Sequence, residues 1–216
     1  MALLSALKNR VAKGSRLNKL NQFYVRYHGG TVLDAGVSSR SRVENENIFL
    51  HSFRGDRSLY TALGVEDLTD LSNKYPQSRF VTYNGKLFPF EDGEFEWVFS
   101  NAVIEHVGTY NDQLQFLNEM MRAGKNVFFT TPNRWFPIES HTNAFFLHWL
   151  PPRIFFRWSA KYKPYWTKDN LNLLDYQLLT SLLTESNAKE YKIIPNRLLG
   201  WTMTFSVFCS ASAKKA

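Results

Sequence analysis

The sequence predicts an α/β fold: a mostly parallel seven-stranded sheet with helices on both faces and an antiparallel edge strand. Three observations predict it. Short runs rich in β-branched and aromatic residues recur along most of the chain. Segments of helical period separate most of them, the alternation expected when crossover helices join parallel neighbours. The last two runs are joined only by a short connection through Pro195 and Gly200, which suits an antiparallel pair at the sheet's edge.

The elements follow in order. Residues 1–28 carry apolar side chains at loose helical spacing among lysines and arginines, a helical extension ended near Gly29 and Gly30. Residues 31–33 make a short buried-type strand running into Asp34, Ala35 and Gly36. Further strands are expected at 59–65, 79–83, 96–100, 126–131, 190–194 and 202–208. The clearest helix is 111–124, with Leu114, Leu117, Met120 and Met121 on one stripe and Gly124 as its stop. A second helix spans 173–183. Residues 132–170 break the alternation: they hold many aromatics, five prolines and no clean period. A loop that long inside a compact domain is usually functional, so the segment is read as a lid or acceptor-binding insertion. At 216 residues the whole chain fits one domain.

Bulk properties narrow the setting. The net charge is +7 and the sequence pI is about 9.5. The basic residues are scattered, which leaves open a solvated basic surface or an anionic partner such as phosphate, lipid headgroup or nucleic acid. Cys209 is the single cysteine, which rules out an internal disulfide and a thiolate-rich metal site and suits a reducing compartment. No metal-ligand set is assigned. The N-terminal apolar run is too short for a secretory signal, and no stretch reaches the ~18 apolar residues of a membrane helix. The expectation is a cytoplasmic protein.

An open parallel sheet binds ligands beyond the carboxyl ends of its strands. After the first strand, Asp34-Ala35-Gly36 permits a tight turn and a close ligand approach, and Ser38 and Ser39 are placed to cap a following helix. After the second come Glu66 and Asp67, an acidic pair suited to ribose hydroxyls. After the third come Asn84, Gly85 and Lys86, whose amide and backbone N–H groups suit an adenine edge. The fourth ends in Ser100 and Asn101, followed by Glu105 and His106. Four such strand ends together suit a nucleoside ligand.

Two runs carry a family resemblance. Val32-Leu33-Asp34-Ala35-Gly36 and the stretch LFPFEDGEFEWVFSNAVIEHV at 87–107 resemble the class I S-adenosylmethionine-dependent methyltransferases, small-molecule branch, over roughly residues 30–131. The stretch TTPNRWFPIESH at 130–141 also resembles, more loosely, a bacterial subgroup often encoded beside surface-polysaccharide genes. The resemblance implies a Rossmann-like fold and S-adenosyl-L-methionine as cofactor. It implies that Asp34 and Gly36 shape the loop around the methionine part, that Glu66 or Asp67 holds the ribose, with Glu66 favoured, and that Asn84, Gly85 and Lys86 meet the adenine. Asn101 would face the methyl group. The chain departs from the family where a second glycine is usual, at Ser38, and where the acidic residue lies well beyond the ~20 residues common in dinucleotide folds, with residues 42–54 filling the longer crossover.

Methyl transfer is an in-line displacement that needs an oriented acceptor and, for an oxygen or nitrogen acceptor, a base. His106, at the expected helix start after the fourth strand, and His141, two residues beyond Glu139, are the candidate bases; a purely structural role stands beside each, and Glu105 is read as fixing the turn. Aromatic residues flanked by Arg153, Arg157, Lys161 and Lys163 suit peripheral contact with an anionic membrane and a small or lipid-linked, sugar-type acceptor. The competing reading is a catalytically inactive binding or scaffold protein on the same fold. Nucleic acid is disfavoured because basic clustering is absent. A nicotinamide enzyme is disfavoured because the full G-x-G-x-x-G is missing.

Overall fold

The computed structural model describes residues 2–39 and 47–211. Its centre is one seven-stranded sheet in the order β3-β2-β1-β4-β5-β7-β6. The strands are β1 (Val32–Ala35), β2 (Tyr60–Gly64), β3 (Arg79–Thr82), β4 (Phe95–Asn101), β5 (Gly124–Pro132), β6 (Ala188–Leu198) and β7 (Trp201–Ala211). The first five are mutually parallel. β7 runs antiparallel to both β5 and β6, joined to β6 through Leu199 and Gly200 alone, while Pro195 lies within β6 opposite Phe205. The order reverses at β1 and β4, so the carboxyl ends of these two strands open the crevice where a ligand belongs.

Alternation along each strand sends side chains to two separate cores. Leu33, Leu63, Val98, Val127 and Phe129 meet Phe116, Leu117 and Met120 of α4 (Tyr110–Ala123) and Leu179, Leu182 and Leu183 of α6 (Tyr176–Glu185). On the other face Val32, Tyr60, Trp97, Phe99 and Phe128 meet Leu20 and Phe23 of α1 (Ala2–Tyr24), Phe49 and Leu50 of α2 (Ile48–Ser52) and Leu71 of α3 (Thr69–Lys74). Phe23 is fully buried, edge-on to Phe49, Trp97 and Phe99. It anchors the N-terminal extension to the sheet, which makes α1 part of the domain's core. α4 starts on a capping box, Thr109 and Asp112 each bonding the other's backbone N–H.

Two of the expectations fall wholly or partly outside the described residues, and one needs correction. The residues that a helix capped by Ser38 or Ser39 would occupy lie outside the described residues. The next described helix is α2, and Asn47 just before it clasps Ser38, its Oδ1 accepting from the Ser38 N–H (3.1 Å) and its Nδ2 donating to the Ser38 carbonyl (2.8 Å). Residues 42–46 of the expected crossover at 42–54 lie outside the described residues, and α2 occupies Ile48–Ser52 of the remainder. Residues 132–170 are not structureless: α5 (Pro152–Tyr162) begins at the two prolines, where a missing N–H costs nothing. Its Phe155 packs with Ala144 and Leu171 into a small core of the insertion's own. The helical period was hidden because only Phe155 and Ser159 of α5 are buried.

Candidate functional site

The carboxyl edge of the sheet gathers the expected residues into two neighbouring groups. Gly36 leaves β1 with φ +102°, and a Cβ there would stand 2.3 Å from Cγ2 of Val103, so only glycine lets the β1 turn close against the β4 exit. Asp34 does not face solvent. It is buried beneath the loop and accepts a short hydrogen bond from the Tyr60 hydroxyl of β2. Burial pushes its carboxyl up to about 7, against the Tyr60 bond, which pulls it down.

Glu66 follows β2 and turns towards the β1 loop. Its Oε2 accepts from the Ser39 N–H (3.0 Å), the Ser39 hydroxyl (2.5 Å) and the Ser38 hydroxyl (3.3 Å). Asp67 is engaged elsewhere: its Oδ1 accepts from the backbone and hydroxyl of Thr69 at the start of α3. Of the two acids, Glu66 alone is joined to the glycine turn. Asn84 is exposed and folds its Oδ1 back onto the Lys86 N–H. Gly85 adopts φ +81° beside Val65. Val65 and Leu87, 61% and 62% exposed, are apolar side chains at strand ends that pattern reading passed over. Their signal was an unexplained hydrophobe within polar turns, and the flat face of a purine is the partner such side chains suit. Ribose-type acceptor, glycine turns and exposed apolar side chains together fit the nucleoside end of the implied cofactor.

Beyond β4 the chain takes φ +56° at Ala102, a conformation costly for a non-glycine residue and common at functional sites. Asn101 is half-buried, its Oδ1 accepting from the Thr130 hydroxyl (2.8 Å). His106 lies in a three-residue 3-10 turn (Ile104–His106), and α4 begins only at Tyr110. The helix-start setting expected for His106 is therefore replaced by a tighter turn with no α-helical dipole behind it.

That turn brings His106 to His141, their rings 4.6 Å apart edge-to-face, with Trp166 packed on both (5.4 and 4.9 Å). His106 Nδ1 bonds the Asn170 carbonyl (2.8 Å) and His141 Nδ1 bonds Glu139 (2.7 Å). Glu139 is itself held by the N–H and hydroxyl of Thr142, each at 2.6 Å. Burial works to raise the Glu139 carboxyl, but the bonds from His141 and Thr142 outweigh it and bring it down to about 2. Burial also works to lower the His141 imidazole, but Glu139, with Glu105 behind it, leaves it above its ordinary value.

Glu105 is wholly buried. Oε2 accepts from the Thr131 hydroxyl (3.1 Å), while Oε1 stands 4.0 Å from His141 Nε2 with no hydrogen-bond partner. From α1, Lys19 is buried nearby. Burial lowers its ammonium to about 8, against the charge of Glu105, which raises it. Lys19, Trp166 and Asn170 escaped sequence reasoning because they reach this cluster from two distant segments, α1 and the insertion.

Residues 59–126 match the family model described as a methyltransferase domain. No curated protein sequence matches the chain significantly. Solved structures do. A methyltransferase from Thermotoga maritima, described as a possible histamine N-methyltransferase, superposes with a TM-score of 0.60 at 13% identity, covering 95% of this chain and 94% of its own. The 1,6-didemethyltoxoflavin-N1-methyltransferase of Burkholderia thailandensis, solved with its substrate and S-adenosylhomocysteine, gives 0.56 at 12% identity, covering 92% and 78%. A protein from Methanosarcina mazei gives 0.55 at 13%, covering 86% and 93%. The fold is that of the S-adenosylmethionine-dependent methyltransferases. The sheet order and the methyltransferase-domain match agree on this point.

Proposed function

We propose that the protein transfers a methyl group from S-adenosyl-L-methionine to an oxygen or nitrogen of a small or lipid-linked acceptor, a sugar being the favoured class. The observation that carries the proposal is Glu66, placed after β2 with its carboxylate turned to the glycine turn of β1. In this reading Glu66 accepts from the ribose hydroxyls, and Gly36 and Ser38 line the methionine end. Asn84, Gly85 and Lys86 edge the adenine between Val65 and Leu87. Asn101, braced by Thr130, borders the position of the methyl group. The cofactor supplies an electrophilic methyl on a sulfonium. The chain's task is to align the acceptor and relieve it of its proton.

His106 and His141 are the proposed acceptor-side residues. Each has its Nδ1 tied to a fixed acceptor, which leaves Nε2 as the reactive nitrogen. Trp166 shields both rings, as a lid over the reacting atoms would. The acceptor class draws support from the insertion's outer surface. There Phe145, Ile154 and Tyr162 are 60%, 52% and 57% exposed beside exposed Arg153, Arg157 and Lys161, a pairing suited to anionic headgroups. Among the described residues no helix is long and apolar enough to cross a membrane.

Calorimetry with S-adenosylmethionine and S-adenosylhomocysteine tests the cofactor. Saturable one-to-one binding that Glu66→Ala weakens is expected, and no heat from a folded sample would end the proposal. One observation favours a second reading, a non-catalytic binding protein: Glu66 already accepts three hydrogen bonds from Ser38 and Ser39. The same titration decides between them. Sedimentation with anionic vesicles at low salt tests the membrane contact, with the protein remaining in the supernatant as the contrary result.

A further inference from the structure

We infer that Glu105, His106 and His141 form a binding site for a zinc-type divalent cation, with two imidazoles and one carboxylate as ligands and an open position towards the acceptor. This deepens the proposed reaction, on which it rests for the acceptor's position. One ligand atom from each of the three residues lies within 4.8 Å of the others. Ligands about 2.1 Å from a tetrahedral ion stand roughly 3.4 Å apart, so side-chain rotation of about an ångström closes the set.

Two further features separate this cluster from a chance meeting of polar groups. Both histidines donate or share Nδ1 with an outer acceptor, Glu139 for His141 and the Asn170 carbonyl for His106. That arrangement fixes the Nε2 lone pair for coordination, as in carboxylate–histidine–metal sites. The second feature is Glu105 Oε1, wholly buried and without a donor. A buried carboxylate oxygen left unanswered costs free energy, and a cation at the ring nitrogens answers it. Lys19 faces the same carboxylate without reaching an ion pair, so it does not fill that role. Glu105 and Glu139 together balance the charge of the ion.

The consequence is chemical. A cation with three protein ligands keeps a position for an oxygen ligand and lowers the pKa of what it binds. An acceptor hydroxyl held there gives up its proton to solvent near neutral pH. The two histidines then act as ligands in place of proton acceptors.

The test uses the tag-free full chain, stripped with chelator and dialysed against zinc chloride or cobalt(II) chloride at micromolar concentration. One equivalent of zinc, and a visible cobalt band of a low-coordinate nitrogen–oxygen site, are expected. His141→Ala and Glu105→Gln should abolish both. Glu139→Gln, which touches no ion, should weaken binding about 10–100-fold. Circular dichroism of each variant guards against misfolding, and His106→Ala provides a third, milder deletion. Sub-stoichiometric zinc, or binding that the folded His141→Ala and His106→Ala variants retain, overturns the inference. Calorimetry with S-adenosylmethionine on the same samples keeps the two proposals apart: cation binding without cofactor binding defeats only the methyltransferase reading, and the reverse defeats only the cation site.

Discussion

On the β1–β2 side of the sheet's carboxyl edge, Asp34 and Glu66 accept hydrogen bonds from tyrosine and serine hydroxyls and from a backbone amide. On the β4–β5 side, Glu105 and Glu139 face imidazoles and the buried ammonium of Lys19. In the proposed function the first arrangement is a polar cradle for a neutral diol. The second concentrates charge that can move a proton or hold a cation. Their origins in the chain differ as well. Ser38, Ser39 and Glu66 lie on two adjacent strand exits, whereas Glu105, His141, Asn170 and Lys19 come from β4's exit, the insertion and α1.

This difference explains what pattern reading recovered. The strands were legible because β1, β2, β4 and β5 are buried on both faces and read as short apolar runs. The seven strands, the helix at Tyr110–Ala123 and the antiparallel edge all lie where the periods put them, with ends shifted by a few residues. The positions of Gly36 and Glu66 at strand exits were legible for the same reason, whereas the burial of Asp34 against Tyr60 was not. His106 and His141 were singled out separately, but their meeting was not foreseen. It depends on the insertion folding back so that Asn172 N–H bonds the Glu105 carbonyl (2.7 Å) and Gln113 bridges the Ile104 and Asn172 carbonyls. No local period encodes such long-range bonds.

The comparison can be pressed hardest at Asp34, where the cradle holds a carboxyl out of water. Burial pushes its folded pKa up to about 7 from the ordinary 3.8, so between these pH values the folded chain binds the proton more tightly than the unfolded chain. Stability must then fall as pH rises from about 4 to about 7, by up to about 4 kcal/mol, and stay lowered above that. Asp34→Asn keeps an acceptor for the Tyr60 hydroxyl and removes the titration. Urea melts at pH 5 and pH 8 should show the variant gaining several-fold more over wild type at pH 8. An equal gain at both would show that Asp34 is solvated.

Gly36→Ala tests the joint between the two halves. Positive φ and a Cβ 2.3 Å from Val103 should together cost about 2–4 kcal/mol in urea melts. Adding Val103→Ala should recover the steric share and leave the backbone share. If the double variant is no more stable than Gly36→Ala, the β1 turn and the β4 exit do not meet as described.

Glu66→Ala separates the halves by function. Loss of charged hydrogen bonds to a ribose should cost about 1.5–3 kcal/mol of cofactor affinity, roughly 10–100-fold in Kd by calorimetry. Zinc binding at the β4–β5 side should be unchanged. A simultaneous loss of both would mean that the two sides form one cooperative site.

Ser38→Gly is the smallest and most discriminating change. Serine stands where the family usually has a second glycine, and its hydroxyl is 3.3 Å from Glu66 while Asn47 holds its backbone. Glycine gives the methionine end of the cofactor more room and removes one competing donor from Glu66. Against this, glycine loosens the loop by up to about 1 kcal/mol of chain entropy. The Asn47 clasp uses only the backbone of residue 38 and survives the substitution, so the loop's shape should persist. A several-fold lower Kd for S-adenosylhomocysteine, with a Tm lowered by a few degrees, is therefore expected. An unchanged Kd with the same fall in Tm would show that the serine hydroxyl already moves aside for the cofactor.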